Sequence, residues 1–544
     1  MSRKVTVGGV AIGGGDEPVL QSMTSTPTHD VDATWDQILR LHERGARLAR
    51  VALPDRRSLR ALPSLRTRCL AHATPIPLIA DIHFSLAMAL EAMPFVDKVR
   101  VNPGNLLEAP RSRELGSTTP AHDDLGSLRK LFRDASARKK AVRVGVNQGS
   151  LSRRIVDHLG TGVDALVESA LEYVRVAEEE GFDDLVISLK SSNPWEVVEA
   201  NRRMAGTCDY PLHVGVTEAG FGLQGRARSA VGVGLLLRQG LADTIRVSLA
   251  EPPEEEMPVA AAMIAAIRPL TVPGARVGRA AVRGVQIRAA SPHRGPHTRT
   301  RIGMGDRIHD PVAGTALRVV AQDSLQSLSG EPVVLRVDAA PASPGDLAAI
   351  LEDLVVSPKL PRFVSEVQLP LPGGRPGGDA ALTEALARVD VPLTWEVSVR
   401  SDTDLIRALM DVAQLVEAGL LQRLELDRGG TSDEDRDDAL DILQGVGTGE
   451  WRAHLIACPQ CGRCRIDVPR LAAEVRARLG AREGLTIGVM GCVVNGPGEM
   501  QGADVGCVGE GPGKVALYRR GVPVTHGVPV EEAAERLEEL LRGD

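Results

Sequence analysis

Five of the chain's seven cysteines fall in its last 95 residues, and three of these, with one carboxylate, are spaced like ligands. Cys458 and Cys461, in "CPQC", have the two-residue gap that turns consecutive thiolates onto one centre. Cys492, in "MGCVVNGPGE", brings a third thiol, and Glu499 follows it across a loop shaped by Gly496, Pro497 and Gly498. Two chemistries suit this set. A structural zinc closes with four Cys or His ligands, and Cys464 would be the fourth. An iron–sulfur cubane takes one ligand per iron, with C-x₂-C serving adjacent irons. Glu499 would then return to the site and cap the fourth iron with oxygen, a harder and more exchangeable ligand than thiolate. Such an iron could release the carboxylate and accept a substrate oxygen. Spacing alone leaves both readings open. An odd cysteine count in a large chain without a leader-like start argues against a disulfide framework, and Cys69, Cys208 and Cys507 read as packing residues.

A second set of polar residues recurs at the ends of short apolar runs. Side chains two apart on a strand share a face, which pairs Arg100 with Asn102, Arg143 with Asn147 across Gly145, Ser188 with Lys190, His213 with Thr217 across Gly215, and Arg246 with Ser248. Converging arginine, lysine and amide donors suit a phosphate or diphosphate. Asp81 and Glu218 are the carboxylates able to handle protons beside them, or else to cap a following helix.

The elements that carry these residues are eight β-branched runs between residues 18 and 268: "VLQSMT", "ARLARVAL", "PLIADIHF", "DKVRVNPG", "AVRVGVNQG", "DLVISLKSS", "PLHVGVTEAG" and "TIRVSL". Amphipathic segments such as "DATWDQILRLHERG" separate them, so the spacing predicts eight βα units and a TIM (βα)₈ barrel over 1–268. Strands of an open sheet buried on both faces would not carry so many charges at equivalent places, whereas a barrel gathers them at its C-terminal mouth.

From 269 the composition shifts to the basic, Pro/Gly-rich "RGVQIRAASPHRGPHTRTRIGMGDRIHDP". An α/β rhythm then returns, with candidate strands "EPVVLRVDA", "SEVQLPLP", "PLTWEVSV" and "LQRLELD", and predicts a separate α/β domain over 269–449 without a chemical constellation. Its "LPGGRPGGDA" lacks the G-K-[ST] of a phosphate loop. Residues 450–544 are expected to form a small α/β domain around the cysteines, with helices "DVPRLAAEVRARLG" and "EEAAERLEELL" and strands "LTIGVM", "ADVGCV" and "KVALYRRG". The 544 residues carry a net charge of −7, with 43% hydrophobic, 25% charged and only 2% aromatic residues. That balance suits a soluble multidomain protein and offers neither the basic surface nor the stacking platforms of a nucleic-acid binder. No apolar leader or membrane-length run is visible, so the expectation is a cytoplasmic protein.

The motifs "QSMTSTPTHD", "ADIHFSLAMALEA", "KVRVNPGN", "RVGVNQGSL", "HVGVTEAG", "DTIRVSL", "CPQCGR" and "MGCVVNGPGE" resemble those of the 4-hydroxy-3-methylbut-2-en-1-yl diphosphate synthases, in that family's order. The resemblance covers most of 18–250 and 458–510. It implies the reductive ring opening and dehydroxylation of 2-C-methyl-D-erythritol 2,4-cyclodiphosphate in the non-mevalonate isoprenoid pathway, through a [4Fe–4S] cluster fed by reduced ferredoxin or flavodoxin. Cys458, Cys461, Cys492 and Glu499 fall on the family's cluster-ligand positions. Arg50, Arg100, Arg143 and Lys190 match its diphosphate contacts, with Asn102, Asn147, His213, Arg246 and Ser248 as neighbours. Glu218 and Asp81 match acidic residues near the reacting end, and Asn495 a polar contact beside the cluster. Two features depart from the common form. About 180 residues separate barrel and cysteine domain, as in the family's three-domain form, which leaves monomer and homodimer both open. Cys464 turns CPxCGR into a C-x₂-C-x₂-C run and could compete with Glu499 as a ligand. The alternative kept from the residues alone is a non-redox barrel enzyme on a phosphorylated substrate, stapled by zinc.

Overall fold

A computed structural model describes residues 1–82, 85–106, 125–267, 286–289, 333–336, 364–370, 393–399, 401–417, 421, 423–428, 432–494 and 496–542. The chain divides into two compact units, Met1–Ile264 with Glu450–Asp544, and Ala265–Gly449.

The first unit opens with a hairpin of β1 (Val5–Val7) and β2 (Val10–Ile12). Eight parallel strands follow: β3 (Val19–Met23), β4 (Leu48–Ala52), β5 (Leu78–Asp81), β6 (Lys98–Val101), β7 (Ala141–Asn147), β8 (Leu185–Lys190), β9 (His213–Val214) and β10 (Thr244–Ile245). Each falls on one of the eight runs read from the sequence. Their order is β8-β7-β6-β5-β4-β3-β10-β9, and a parallel bridge from Ile187 to Leu212 joins the two ends. The sheet is therefore a TIM barrel. Its strands are buried on both faces, as β-branched runs covered by helices must be. A representative helix, Val31–Glu43, starts where the Asp30 carboxylate accepts the Ala33 N–H and buries Ile38 and Leu41.

The hairpin was not visible in the sequence, where three-residue strands leave no periodic signal. Val5, Val7, Val10 and Ile12 pack with Val19, Leu48, Ile79, Ala141 and Val186. These last are early residues of barrel strands, so the hairpin closes the end opposite the mouth with an apolar layer.

Residues 450–544 form a second sheet in the same unit, β16-β17-β18-β19-β20. β16 (His454–Ala457), β17 (Thr486–Met490) and β18 (Val505–Gly511) run parallel, while β19 (Lys514–Arg519) and β20 (Val522–Pro529) complete it antiparallel. Helices Val468–Leu479 and Ala533–Arg542 bury Leu471, Val475 and Leu537 in its main core. β17, β18, β19 and both helices coincide with elements expected from the sequence, whereas β16 and β20 were not expected.

The second unit contains a five-stranded parallel sheet, ordered β11 (Gln286–Ala289), β15 (Arg423–Asp427), β14 (Leu393–Ser398), β13 (Val364–Pro370) and β12 (Val333–Arg336). Four strands coincide with the candidate runs. The fifth, β11, lies inside the basic Pro/Gly-rich stretch read as a composition boundary, where "VQIRA" alternates apolar with polar residues over too few positions to stand out. The segment "LPGGRPGGDA" lies outside the described residues. Among the described residues no helix is long and apolar enough to cross a membrane.

Candidate active site

The barrel register sets one wall of the site. Asp81 of β5 stands opposite Arg100 of β6, which stands opposite Arg143 of β7. Met23 is opposite Arg50, and Asn147 opposite Lys190. All these side chains are buried. A cavity with about 800 Å³ of empty space, part of it open to solvent, is lined by Arg50, Asp81, Arg100, Arg143, Asn147 and Lys190. Glu218, Arg246 and Ser248 complete the barrel side, with Met23, Ser188 and Thr217 between them.

The other wall comes from the cap. β16 ends immediately before Cys458, and β17, its parallel neighbour, ends two residues before Cys492. Two cysteine loops thereby emerge side by side at the C-terminal ends of adjacent strands. The Cys458 N–H donates to Val489 O at 3.3 Å, and the Gly491 N–H donates to Cys458 Sγ at 3.1 Å. Cys458, Cys461, Cys464 and Cys492 all line the cavity, half-buried where the barrel residues are buried.

Main chain meets main chain where the walls join. Ala219, after β9, forms a parallel bridge with Ala457 at the end of β16. A Cβ on Gly498 would lie 1.8 Å from Gly149 O, and one on Gly149 would lie 2.6 Å from Glu499 N. Neither glycine can carry a side chain without parting the loops. The seam brings Glu499 down onto the barrel, where its Oε2 accepts from the Thr217 hydroxyl at 3.4 Å.

Electrostatics differ sharply across the site. Arg143 leaves Nε and Nη1 buried without a partner, and Lys98, one layer lower, leaves Nζ so. Burial, and then the neighbouring Arg143, press Lys190 well below its ordinary range; burial and Arg50 do the same to Arg143, and burial pushes Arg50 down to about 9. These are costly cations awaiting an anion. Arg246 is the exception, meeting Glu256 at 3.4 Å through both Nε and Nη2. Burial outweighs Arg246 and lifts the Glu256 carboxyl to about 7. Glu218 and Glu499 face each other, and burial raises both, Glu499 further because Glu218 adds its own charge. One proton shared between them is the consequence. Glu218 also holds a positive φ of 49°, a backbone strain of the kind that functional sites retain.

Not every expected residue reaches the cavity. Asn102 is turned into the loop after β6, donating to Ser150 Oγ at 2.8 Å and accepting the Gly104 N–H at 3.1 Å. His213 lies inside the barrel against Thr244 Oγ1 at 3.3 Å, with Nε2 unpartnered, and burial beside Arg143 keeps it neutral. Asn495 lies outside the described residues. Asp81 is not a loose proton carrier, since Arg100 Nη1 holds its Oδ1 at 3.1 Å and Arg463 Nη2 its Oδ2 at 2.7 Å. Arg463 and Glu256 are the site residues missed in the sequence. Arg463 sits inside the quoted "CPQCGR", but its partner is 382 residues away. Glu256 stands in the run "EPPEEE", where nothing marks one glutamate from the next.

This fold and site define a class: a TIM-barrel enzyme whose cationic mouth is covered by a cysteine-bearing α/β cap of the same chain. Residues 2–261 match the family model described as the GcpE TIM-barrel domain, and residues 454–543 the GcpE protein C-terminal domain. A relative from Porphyromonas gingivalis is 34% identical over 568 residues, covering 97% of this chain and 95% of its own. Others from Chlamydia felis (33%, covering 99% and 96%) and Leptospira interrogans (30%, 99% and 96%) extend the likeness. Each is named 4-hydroxy-3-methylbut-2-en-1-yl diphosphate synthase (flavodoxin). The chain belongs to this family, the GcpE proteins.

Proposed function

We propose that the protein reductively opens 2-C-methyl-D-erythritol 2,4-cyclodiphosphate to 4-hydroxy-3-methylbut-2-enyl diphosphate in the cytoplasm, with flavodoxin, the donor in its relatives' names, or ferredoxin supplying electrons. The observation that carries this reading is one cavity with buried cations on one wall and Cys458, Cys461 and Cys492 on the other, with Glu499 brought to the adjoining seam against Thr217. Cys458, Cys461, Cys492 and Glu499 would hold a [4Fe–4S] cluster. The donor set fits such a group: three thiols line one cavity, a backbone N–H already points at Cys458 Sγ, and Glu499 Oε1 is buried without a partner. When bound there, the cluster supplies single electrons and a Lewis-acidic iron.

The rest is the work of the chain's own side chains. Arg50, Arg143 and Lys190 take the diphosphate, whose charge relieves their desolvation. Arg100 is turned toward it from its place on Asp81. Asn147 and Ser248 add hydrogen bonds at the rim. Glu218, its carboxyl raised by burial, shares a proton with Glu499 and stands where it can give one to the oxygen that leaves as water. The cap excludes bulk solvent from these groups. Because the cap covers its own barrel, a single chain suffices and a partner subunit is not required for the site. The 269–449 domain serves as a spacer in this reading.

Anaerobic purification tests it. About four irons and four sulfides per chain are expected, with a visible spectrum bleached by reductant and restored as product appears. One zinc per chain and no visible absorbance would overturn the cluster and return the barrel to another phosphorylated substrate.

A further inference from the structure

A methionine stands among the cations of the barrel mouth. Met23 ends β3, which lies between β4 and β10 in the sheet. It therefore has Arg50 opposite it in the register on one side and Arg246, just past β10, on the other. Met23 is 2% exposed and lines the cavity with both arginines. Arg50 Nε donates to Met23 Sδ at 3.1 Å, and Arg246 Nη1 approaches the same sulfur at 3.8 Å. One thioether thus serves two guanidinium groups on neighbouring strands.

A buried Nε–H needs an acceptor, and the strong choice beside an arginine is a carboxylate. Arg246 has one in Glu256. Arg50 forms no ion pair among the described residues, and its Nε is met by the sulfur instead. The charges around it act from beyond ion-pair distance, Asp81 in favour of its cation and Arg246, Arg100 and Arg463 against it. A thioether accepts weakly, carries no charge and takes up no proton, so it fixes a guanidinium without cancelling it at any pH. We propose that Met23 is a positioning residue of the anion site: as a neutral acceptor its sulfur holds the Arg50 fork in place beside Arg246 and leaves Arg50's charge undiminished for the substrate's diphosphate. This rests on the proposed function for the identity of the anion, and on the geometry for the arrangement of sulfur and arginines.

The test uses the full-length protein purified anaerobically, with dissociation constants for inorganic diphosphate and for the cyclodiphosphate measured by calorimetry at pH 8 and the visible spectrum recorded alongside. Met23→Leu keeps the apolar bulk and removes the acceptor; it is expected to weaken both ligands about three- to tenfold, the range for one lost neutral hydrogen bond. Met23→Gln supplies a neutral carbonyl oxygen at similar length and should bind within about threefold of the parent, a rescue that a merely packing role would not give. Met23→Glu has the shape of the Gln variant with a charge added. It should weaken binding about a hundredfold, the upper range for a lost hydrogen bond to a charged group, because its carboxylate takes the arginines from the anion. Met23→Leu binding as tightly as the parent or more so, Met23→Gln as weak as Met23→Leu, or Met23→Glu as tight as Met23→Gln would each overturn the proposal. The isosteric Gln and Glu variants decide it if Met23→Leu does not fold. A parent protein that binds inorganic diphosphate but not the cyclodiphosphate would sink the proposed substrate and leave Met23 to be judged on the first ligand; one that binds neither would sink the anion site itself.

Discussion

The two walls of the cavity are built on opposite principles. The barrel wall consists of side chains fixed on paired strands, buried to the last few per cent, with a surplus of cations whose desolvation is already borne. The cap wall consists of loops just beyond strand ends, with half-buried thiols and a carboxylate that has one oxygen to spare. Charge recognition calls for rigidity, because donors placed beforehand cost nothing to reorganise when the anion arrives. Ligand exchange at a metal calls for the reverse, a donor near the site that can leave it. Under the proposed function, binding falls to the barrel wall and redox chemistry to the cap.

That division can be broken first at the cap. Cys492→Ala should abolish turnover, by at least ~10³-fold or about 4 kcal/mol of barrier, while calorimetry still detects diphosphate binding to the barrel. Loss of both would show that the walls are not separable. Gly498→Ala should cost about a hundredfold in kcat, the effect of displacing a reacting geometry by about 1 Å, with iron content intact, because the added methyl must move Gly149 O and not a cysteine. On the barrel side, Arg143→Met is expected to raise KM about ten- to a hundredfold with the visible spectrum unchanged; a spectral shift would instead tie Arg143 to the cap.

Glu256 sharpens the comparison through pH. Its carboxyl is raised from about 4.5 to about 7, so below that pH it is neutral and Arg246 offers its full charge to an anion, whereas above it the pair closes. KM for the cyclodiphosphate should therefore rise between about pH 6 and pH 8, and Glu256→Gln should flatten the profile. The folded protein also keeps a proton here that the unfolded chain releases, so the contribution of Glu256 to stability declines as pH climbs from 4.5 towards 7. A Glu256→Gln variant with the parent profile would assign the titration elsewhere. The smallest effect belongs to Cys464. It contacts its neighbours through the Cys461 N–H at 3.4 Å and sits 2.5 Å from where a Gly491 Cβ would be. It lines the cavity beside Cys458 and Cys461, and under the proposed function it is no ligand, so Cys464→Ala should change kcat by less than about threefold; a rise in kcat would reveal a competitor of Glu499.

The strands of the barrel were legible because β-branched runs buried on both faces cannot be disguised, and the polar residues at their ends were legible because the two-residue period puts them on one face. What stayed hidden depends on contacts made across long stretches of chain. Nothing in "CPQCGRC" tells that Arg463 reaches back to Asp81, and nothing in "VNPGN" or "LHVGV" tells that Asn102 braces a loop or that His213 is sealed beneath the mouth. Residue type and face are local properties; depth along the barrel axis is not. The short hairpin at the barrel floor escaped for a further reason, since two strands of three residues carry too little pattern to count.

The seam between barrel and cap is specified by what its residues lack. Gly149, Gly462 and Gly498 admit neighbouring backbones closer than any side chain allows, and Ala219 and Ala457 pair through their main chains. Truncation scanning, which reads a joint by removing side chains, would pass over such a joint without effect. Only enlargement can detect it, and drift in the surrounding sequence can proceed freely as long as those few positions stay small.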